Sequence, residues 1–243
     1  VVPDEDDNVW KNWRDYAAQA LRSVKHWRSL EEKLVTFKGT KLGREWDRDE
    51  SHRVSVLVEE GGLIFTGQSN HDGRRSTPTV VVSTGTLFAR ETFESLTLTL
   101  KIPRSKGGRA TNNVTFGIEV IAASRGASSK KRPGVGVFYD KNKVAVRVQG
   151  GQDKKFKEGN VQRLDPEQSW PEGEDVIVRF VREDAQRGTM AIYLNDELVL
   201  RDNVSTFKLT RGKAALWIGG YSTETEPFDI TVSDIRVVRR KAR

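Results

Sequence analysis

Two periodicities divide this chain. From Asn8 to Phe37 the apolar positions Trp10, Trp13, Ala17, Ala20/Leu21, Val24, Trp27, Leu30 and Leu34 recur at spacings of three and four, which predicts an amphipathic helix. Asp7 or Asn8 serves as its N-cap, the acids ahead of it suit the positive helix end, and Gly39 is a stop. The first seven residues, VVPDEDD, carry no core pattern and read as a frayed terminus. Three tryptophans on one stripe are expected to pack on the rest of the chain. A connector or coiled-coil stub from a longer protein is the alternative. The polar face mixes Lys/Arg with Asp/Glu, which argues against lying on a membrane surface.

From about Thr40 the period changes to two. Strands are predicted at Arg53–Val58, Leu63–Thr66, Thr79–Val82, Glu94–Ile102, Val114–Ala122, Gly134–Tyr139, Lys143–Val148, Asp175–Arg182, Thr189–Leu194, Leu198–Leu200, Ala214–Gly219 and Phe228–Val238. In Glu94–Ile102, Leu96, Leu98, Leu100 and Ile102 share one face and Thr97, Thr99 and Lys101 the other. With turns between the strands and no helices, the expected architecture is an antiparallel β-sandwich. The chain is thus read as a helical appendage, residues 1–39, and a sandwich, residues 40–243. The last strand changes parity: Phe228, Ile230 and Val232 fall on one face, Ile235 and Val237 on the other. A β-bulge at Ser233-Asp234 would restore a single inward face.

Composition narrows this picture. The 243 residues suffice for a core without staples, and the absence of Cys excludes a disulfide framework and a thiolate metal site. No apolar run is long enough to span a bilayer and no secretory signal is visible. The opening Val, where Met would stand, is expected of an internal fragment or a processed product. The net charge of +7 is unevenly spread: Lys101 to Lys157 holds 14 Lys/Arg against three acids, Glu119, Asp140 and Asp153. That window carries +11, leaving −4 for the remainder. Such a block is expected to mark one face or one cluster of loops.

The C-terminal third has a recognisable order. Trp170 is followed by Glu174–Phe180, then Thr189–Val199 with Asn195-Asp196 at its centre. Ala215–Tyr221 with Gly219-Gly220 comes next, then Phe228–Val237. This resembles the closing half of concanavalin-A-like lectin/glucanase jelly rolls, including laminin-G-like modules and bacterial domains of 3-keto-glycoside hydrolase type. The resemblance covers about residues 85–240 and is strongest over 170–238. Asp196 stands where the family usually has Gly, so the turn is expected to be longer or of another type. The resemblance implies a carbohydrate-related role and favours an extracytoplasmic location, but the fold hosts lectins, hydrolases and adhesion modules alike.

In the glucanase branch three acids sit on one strand as Glu-x-Asp-x-Glu, aimed into one cleft. No predicted strand here carries that triplet. Glu119 is the one acid inside an apolar predicted strand, and it is expected on the solvent face; in a cleft it would be a general acid. No His pair has metal-ligand spacing, and neither a nucleophile elbow nor a phosphate loop is present. No catalytic residue is therefore assigned.

Binding remains, in two forms. Lectins of this fold use loop Asp/Asn and an aromatic ring on which sugar stacks, which makes His71, Asp72, Asp140, Asn142, Trp170 and Tyr221 the carbohydrate candidates. Their structural alternatives are a hairpin turn at Asp140–Asn142 and core packing for Trp170. A polyanion is the second ligand class, with Arg104, Lys106, Arg109, Lys130, Lys131, Arg132, Lys154, Lys155 and Lys157 as candidates. Laminin-G-like modules are known for such binding, and solvated loops are the alternative. Nucleic acid fits less well, because Phe156 is the lone aromatic among these basic loops. No cofactor is expected; Ca²⁺ at Asp140/Asn142 would have two nameable ligands where the ion takes six to eight. The expected function is a non-catalytic module, of a larger and bacterial protein, binding carbohydrate or an acidic polymer. A glycoside-processing enzyme and a structural domain docking a protein partner through its helix are the alternatives.

Overall fold

The computed structural model describes residues 17–18, 30–37, 42–43, 46–49, 54–59, 61–67, 80–83, 93–104, 114–123, 133–152, 159–204, 207, 213–222 and 228–241. Fifteen strands are formed by these residues. They make two antiparallel sheets that enclose one apolar core.

The first sheet runs β13 (Glu197–Asn203), β12 (Thr189–Leu194), β11 (Asp175–Asp184), β6 (Phe93–Lys101), β15 (Phe228–Arg240), β4 (Gly62–Gly67) and β3 (Val54–Glu59). An eighth strand, β1 (Leu30–Leu34), pairs with β15 off this path. The second sheet runs β10 (Gln162–Arg163), β9 (Lys143–Gln149), β8 (Gly134–Asp140), β7 (Val114–Ala123), β14 (Lys213–Ser222), β5 (Val80–Ser83) and β2 (Trp46–Asp49). Alternate residues face inward. Leu96, Leu98 and Leu100 of β6 meet Phe116, Ile118 and Val120 of β7 and Val144, Val146 and Val148 of β9 in one buried cluster.

The predicted bulge is present. β15 slips against β6 between Ser233 and Arg236, and Asp234 takes φ 51°. Ile230, Val232, Ile235 and Val237 are all buried in the core. The turn at Asn195-Asp196 corrects an expectation. It is a two-residue turn, because Leu194 pairs with Glu197 and both turn residues have positive φ. Asp tolerates that conformation as Gly does, as in type I′ turns.

The helical reading of Asn8–Phe37 is corrected at its C-terminal end. Leu30–Leu34 is a strand, in register with Arg236–Arg240. Leu34, placed on the helical stripe, is half exposed, whereas Val35 and Phe37 reach the core with a period of two. The edge of β15 beyond the bulge supplies backbone partners that a helix would not use. Apart from exposed Ala17 and Ala18, the earlier part of that segment lies outside the described residues, and so does the proposed protein contact through it. No helix among the described residues is long and apolar enough to cross a membrane.

Candidate functional site

The second sheet is distinguished by the face turned away from the core. Cross-strand register places side chains of that face in rows. One row is Trp217, Glu119, Gly136 and Arg147, and the next is Gly219, Gly117, Phe138 and Ala145. Ile121, Phe138, Ala145, Ala215 and Trp217 form a second apolar cluster, with Trp217 at 9% exposure. Two glycines shape it. A Cβ on Gly117 would lie 2.1 Å from the Phe138 ring, and one on Gly136 would lie 2.4 Å from Glu119 Cγ. The missing side chains let the ring and the carboxylate arm lie flat across the sheet.

Glu119 itself corrects the sequence reading. It is 1% exposed rather than solvent-facing. Arg147 donates to its carboxylate across Gly136, and the same guanidinium lies 5.9 Å from the Phe138 ring centroid. Burial pushes the carboxyl up to about 7, against the opposing pull of the Arg147 charge and hydrogen bond. The other described positions of β7 on this face are Thr115, Gly117, Ile121 and Ala123, so no acid triplet forms there.

At one end of the same face the rows become polar, with Thr115 buried at 4% exposure and Asp140 and Lys143 partly exposed. Register aligns Tyr221, Thr115, Asp140 and Lys143 across four strands. Thr115 Oγ1 donates to Asp140 Oδ1 at 2.7 Å, and Arg163 Nε donates to Oδ2 at 3.2 Å. Glu167 joins the cluster, 3.4 Å from Arg163 and 3.7 Å from Lys143. The hydrogen bond to Asp140 chiefly holds the exposed Arg163 guanidinium above its ordinary range. Lys141 and Asn142 both have positive φ, so Asp140–Lys143 is a tight hairpin, and the Asn142 carbonyl accepts from the Trp170 amide at 2.8 Å.

The sequence candidates therefore divide. Asp140, Asn142 and the backbone of Tyr221 come together at this end. Trp170 lies directly below, but at 4% exposure it packs edge-on against Tyr139 and offers no open face to a sugar. Its Nε1 is buried without an acceptor among the described residues. Arg104 arrives at the same end from β6: it is exposed, donates to the Glu172 carbonyl at 3.1 Å, and Glu172 in turn accepts from Tyr139 Oη at 2.5 Å. His71, Asp72, Lys106, Arg109, Lys130, Lys131, Arg132, Lys154, Lys155 and Lys157 lie outside the described residues.

The strand ends give the points at which the basic loops attach. The segment after Arg104 enters β7 at Val114, beside Asp140. The two later basic segments attach at Ala123, Gly134 and Gln149, at the opposite end of the sheet. Sequence reasoning missed Arg147, Thr115 and Arg163. Arg147 had a signal: it shares its strand parity with Lys143 while lying between two valines of an otherwise apolar run.

Elsewhere, a shallow cleft of about 280 Å³ sits at the β15 bulge, lined by Glu59, Gly61, Gly62, Ile64, Thr231, Ser233 and Asp234. No group of three or more metal-ligating side chains occurs among the described residues.

Comparison with known proteins places the fold. Neither a family model nor a curated protein matches the sequence. Among solved structures, an endo-1,3-beta-glucanase from Streptomyces sioyaensis superposes with a TM-score of 0.61 at 11% identity, over 88% of this chain and 98% of that one. The Emp47p carbohydrate recognition domain gives 0.52 at 10% identity, over 88% and 98%. A sialidase gives 0.51 at 8% identity over 79% of this chain, which spans just 17% of that larger protein. At these identities the likeness establishes architecture and leaves the chemistry to the residues.

Proposed function

We propose that this chain, a concanavalin-A-like jelly roll, is a non-catalytic carbohydrate-binding module whose ligand surface is the row Tyr221–Thr115–Asp140–Lys143 with Arg163 and Asn142. The observation that carries this reading is the convergence of those positions on one polar, partly exposed end of the second sheet. Thr115 and Arg163 each use one lone-pair direction of the Asp140 carboxylate. A carboxylate has about four such directions, so the oriented oxygens still accept from sugar hydroxyls. Lys143 and Arg163, on the next two strands β9 and β10, supply donors on one side of it. A fixed acceptor beside donors matches neighbouring hydroxyls of a pyranose ring, and Tyr221, whose backbone lies in the same row, is the proposed aromatic partner. That an Emp47p domain of this fold is named for carbohydrate recognition accords with the reading.

With Glu119 as one carboxyl, hydrolysis needs a second about 5–9.5 Å from it. Asp140 stands four residues along β8 from Gly136, the residue opposite Glu119. At about 3.3 Å per residue that is roughly 13 Å. Both carboxylates are also tied to arginines. Glycoside processing is kept as a second reading for one reason: Glu119, near 7, lies in the range of a general acid.

The two readings separate by assay. Binding predicts that Lys143→Ala and Tyr221→Ala each weaken glycan affinity by about tenfold, the equivalent of one hydrogen bond or stacking contact. It also predicts no turnover of β-glucosides or 3-keto-glucosides. Turnover that disappears in Glu119→Gln would overturn it.

A further inference from the structure

The bulge divides β15 into two edges. Up to Ser233 the strand pairs with β4; beyond it, with β1. None of the five side chains of β1 is buried, so this strand is attached through backbone and charge. Glu31 stands opposite Arg239 and accepts from it at 3.3 Å, and Glu32 lies 3.8 Å from Arg236. Exposed pairs of this kind contribute about 0–1 kcal/mol each and are screened by salt. The strand has no described neighbour on its far side. Immediately after β1 come two core residues, Val35 and Phe37, and the Val35 amide donates to the Ile235 carbonyl at 2.8 Å.

We propose that Glu31–Phe37 is an exchangeable strand, and that Ile235–Arg240 is an acceptor edge for the same segment of a second copy of this chain. An acidic pair followed by two apolar anchors faces a basic edge that ends in the core. That combination specifies an extended acidic partner, its antiparallel register and its depth of insertion. Exchange between identical chains re-forms each of these contacts in trans, and reciprocal exchange closes with two-fold symmetry. Salt loosens the charged half of the attachment and leaves the apolar anchors as the specific half. Exchange is therefore faster at high ionic strength, while the dimer re-forms tightly when salt is removed.

The chain has no cysteine, so two introduced ones report the pairing without background. Glu31→Cys and Arg239→Cys are prepared separately, one carrying a mass label. They are mixed in about 0.5 M salt, where screening reaches about 4 Å, then returned to low salt and oxidised. Exchange predicts disulfide-linked dimers of the two different variants, about tenfold more abundant than same-variant dimers because the paired cysteines are held at high effective concentration. The double variant Glu31→Cys/Arg239→Cys, kept dilute and unmixed, closes within one chain and shows that the register is intact. Mixed dimers no more abundant than same-variant dimers would overturn the proposal, as would a double variant that does not close.

Discussion

The two sheets share a core and differ on the faces turned away from it. In β11 of the first sheet, alternate side chains are buried and at least partly exposed, and Ile177 and Leu57 on its outer face are about half accessible. In β8 and β9 of the second sheet nearly every side chain is buried. Each outer face carries an arginine–carboxylate pair, but the two pairs sit in different media. On the first sheet Arg201 forks Glu183 at 2.7 and 2.8 Å, and that hydrogen bond chiefly lowers the Glu183 pKa. On the second sheet Arg147 holds Glu119, yet desolvation outweighs the attraction and the pKa rises. The same two functional groups thus stabilise the ionised acid where water is near and fail to do so where it is excluded.

Perturbing the buried pair tests this contrast most severely. Glu119→Ala withdraws the carboxylate from a buried guanidinium and is expected to cost about 3–5 kcal/mol of unfolding free energy, read by chemical denaturation. A loss below about 1 kcal/mol would mean that Glu119 is not enclosed as described.

The pH dependence of stability has a definite sign. Unfolded, Glu119 titrates near its ordinary 4.5; folded, near 7. Between those values the folded state keeps a proton that the unfolded state has lost. Stability therefore falls as pH rises from about 4.5 to about 7, by roughly 3 kcal/mol, and is level above that. Glu119→Gln should flatten this part of the profile in denaturation curves taken across the window. An unchanged slope would assign the effect to other groups.

Close approach at the glycines gives a smaller effect. Gly117→Ala presses a methyl group into the Phe138 ring and should cost about 1–3 kcal/mol, and the companion change Phe138→Ala in the same chain should relieve the clash. Non-additivity in that double-mutant cycle is the readout. At the bottom of the scale, Glu183→Ala on the first sheet should cost no more than about 1 kcal/mol, and 0.5 M salt should shrink the difference further.

Much of the architecture was legible because it rests on parity. Leu96, Leu98 and Leu100 announced a half-exposed strand, and the parity switch between Val232 and Ile235 announced the bulge. Leu30–Leu34 was misread because two leucines four apart fit a helical stripe, while the partner that makes the segment a strand, the freed edge of β15, is some two hundred residues away in sequence. The site was legible in part. Asp140 and Asn142 stood out as turn residues, and Tyr221 followed a glycine pair. Their gathering into one row depends on the register of β14, β7, β8 and β9, which no local pattern encodes. Glu119 was misplaced for a related reason. On a sheet buried on one side an acid marks the solvent face; here both faces are covered, as the near-continuous apolar runs of β7 and β8 reflect in hindsight.

Glycan binding by the polar row at the end of the second sheet is the reading on which the proposed function stands. A glycan array of neutral and charged sugars, probed with the wild-type chain and with Asp140→Ala at low and high salt, tests it most directly. The wild-type chain should bind a defined set of sugars at high salt as well as low, with a loss of about 10- to 100-fold in Asp140→Ala, as removal of a charged hydrogen-bond acceptor entails. An array silent for the wild-type chain at both salt concentrations, or binding that Asp140→Ala leaves intact, would contradict it.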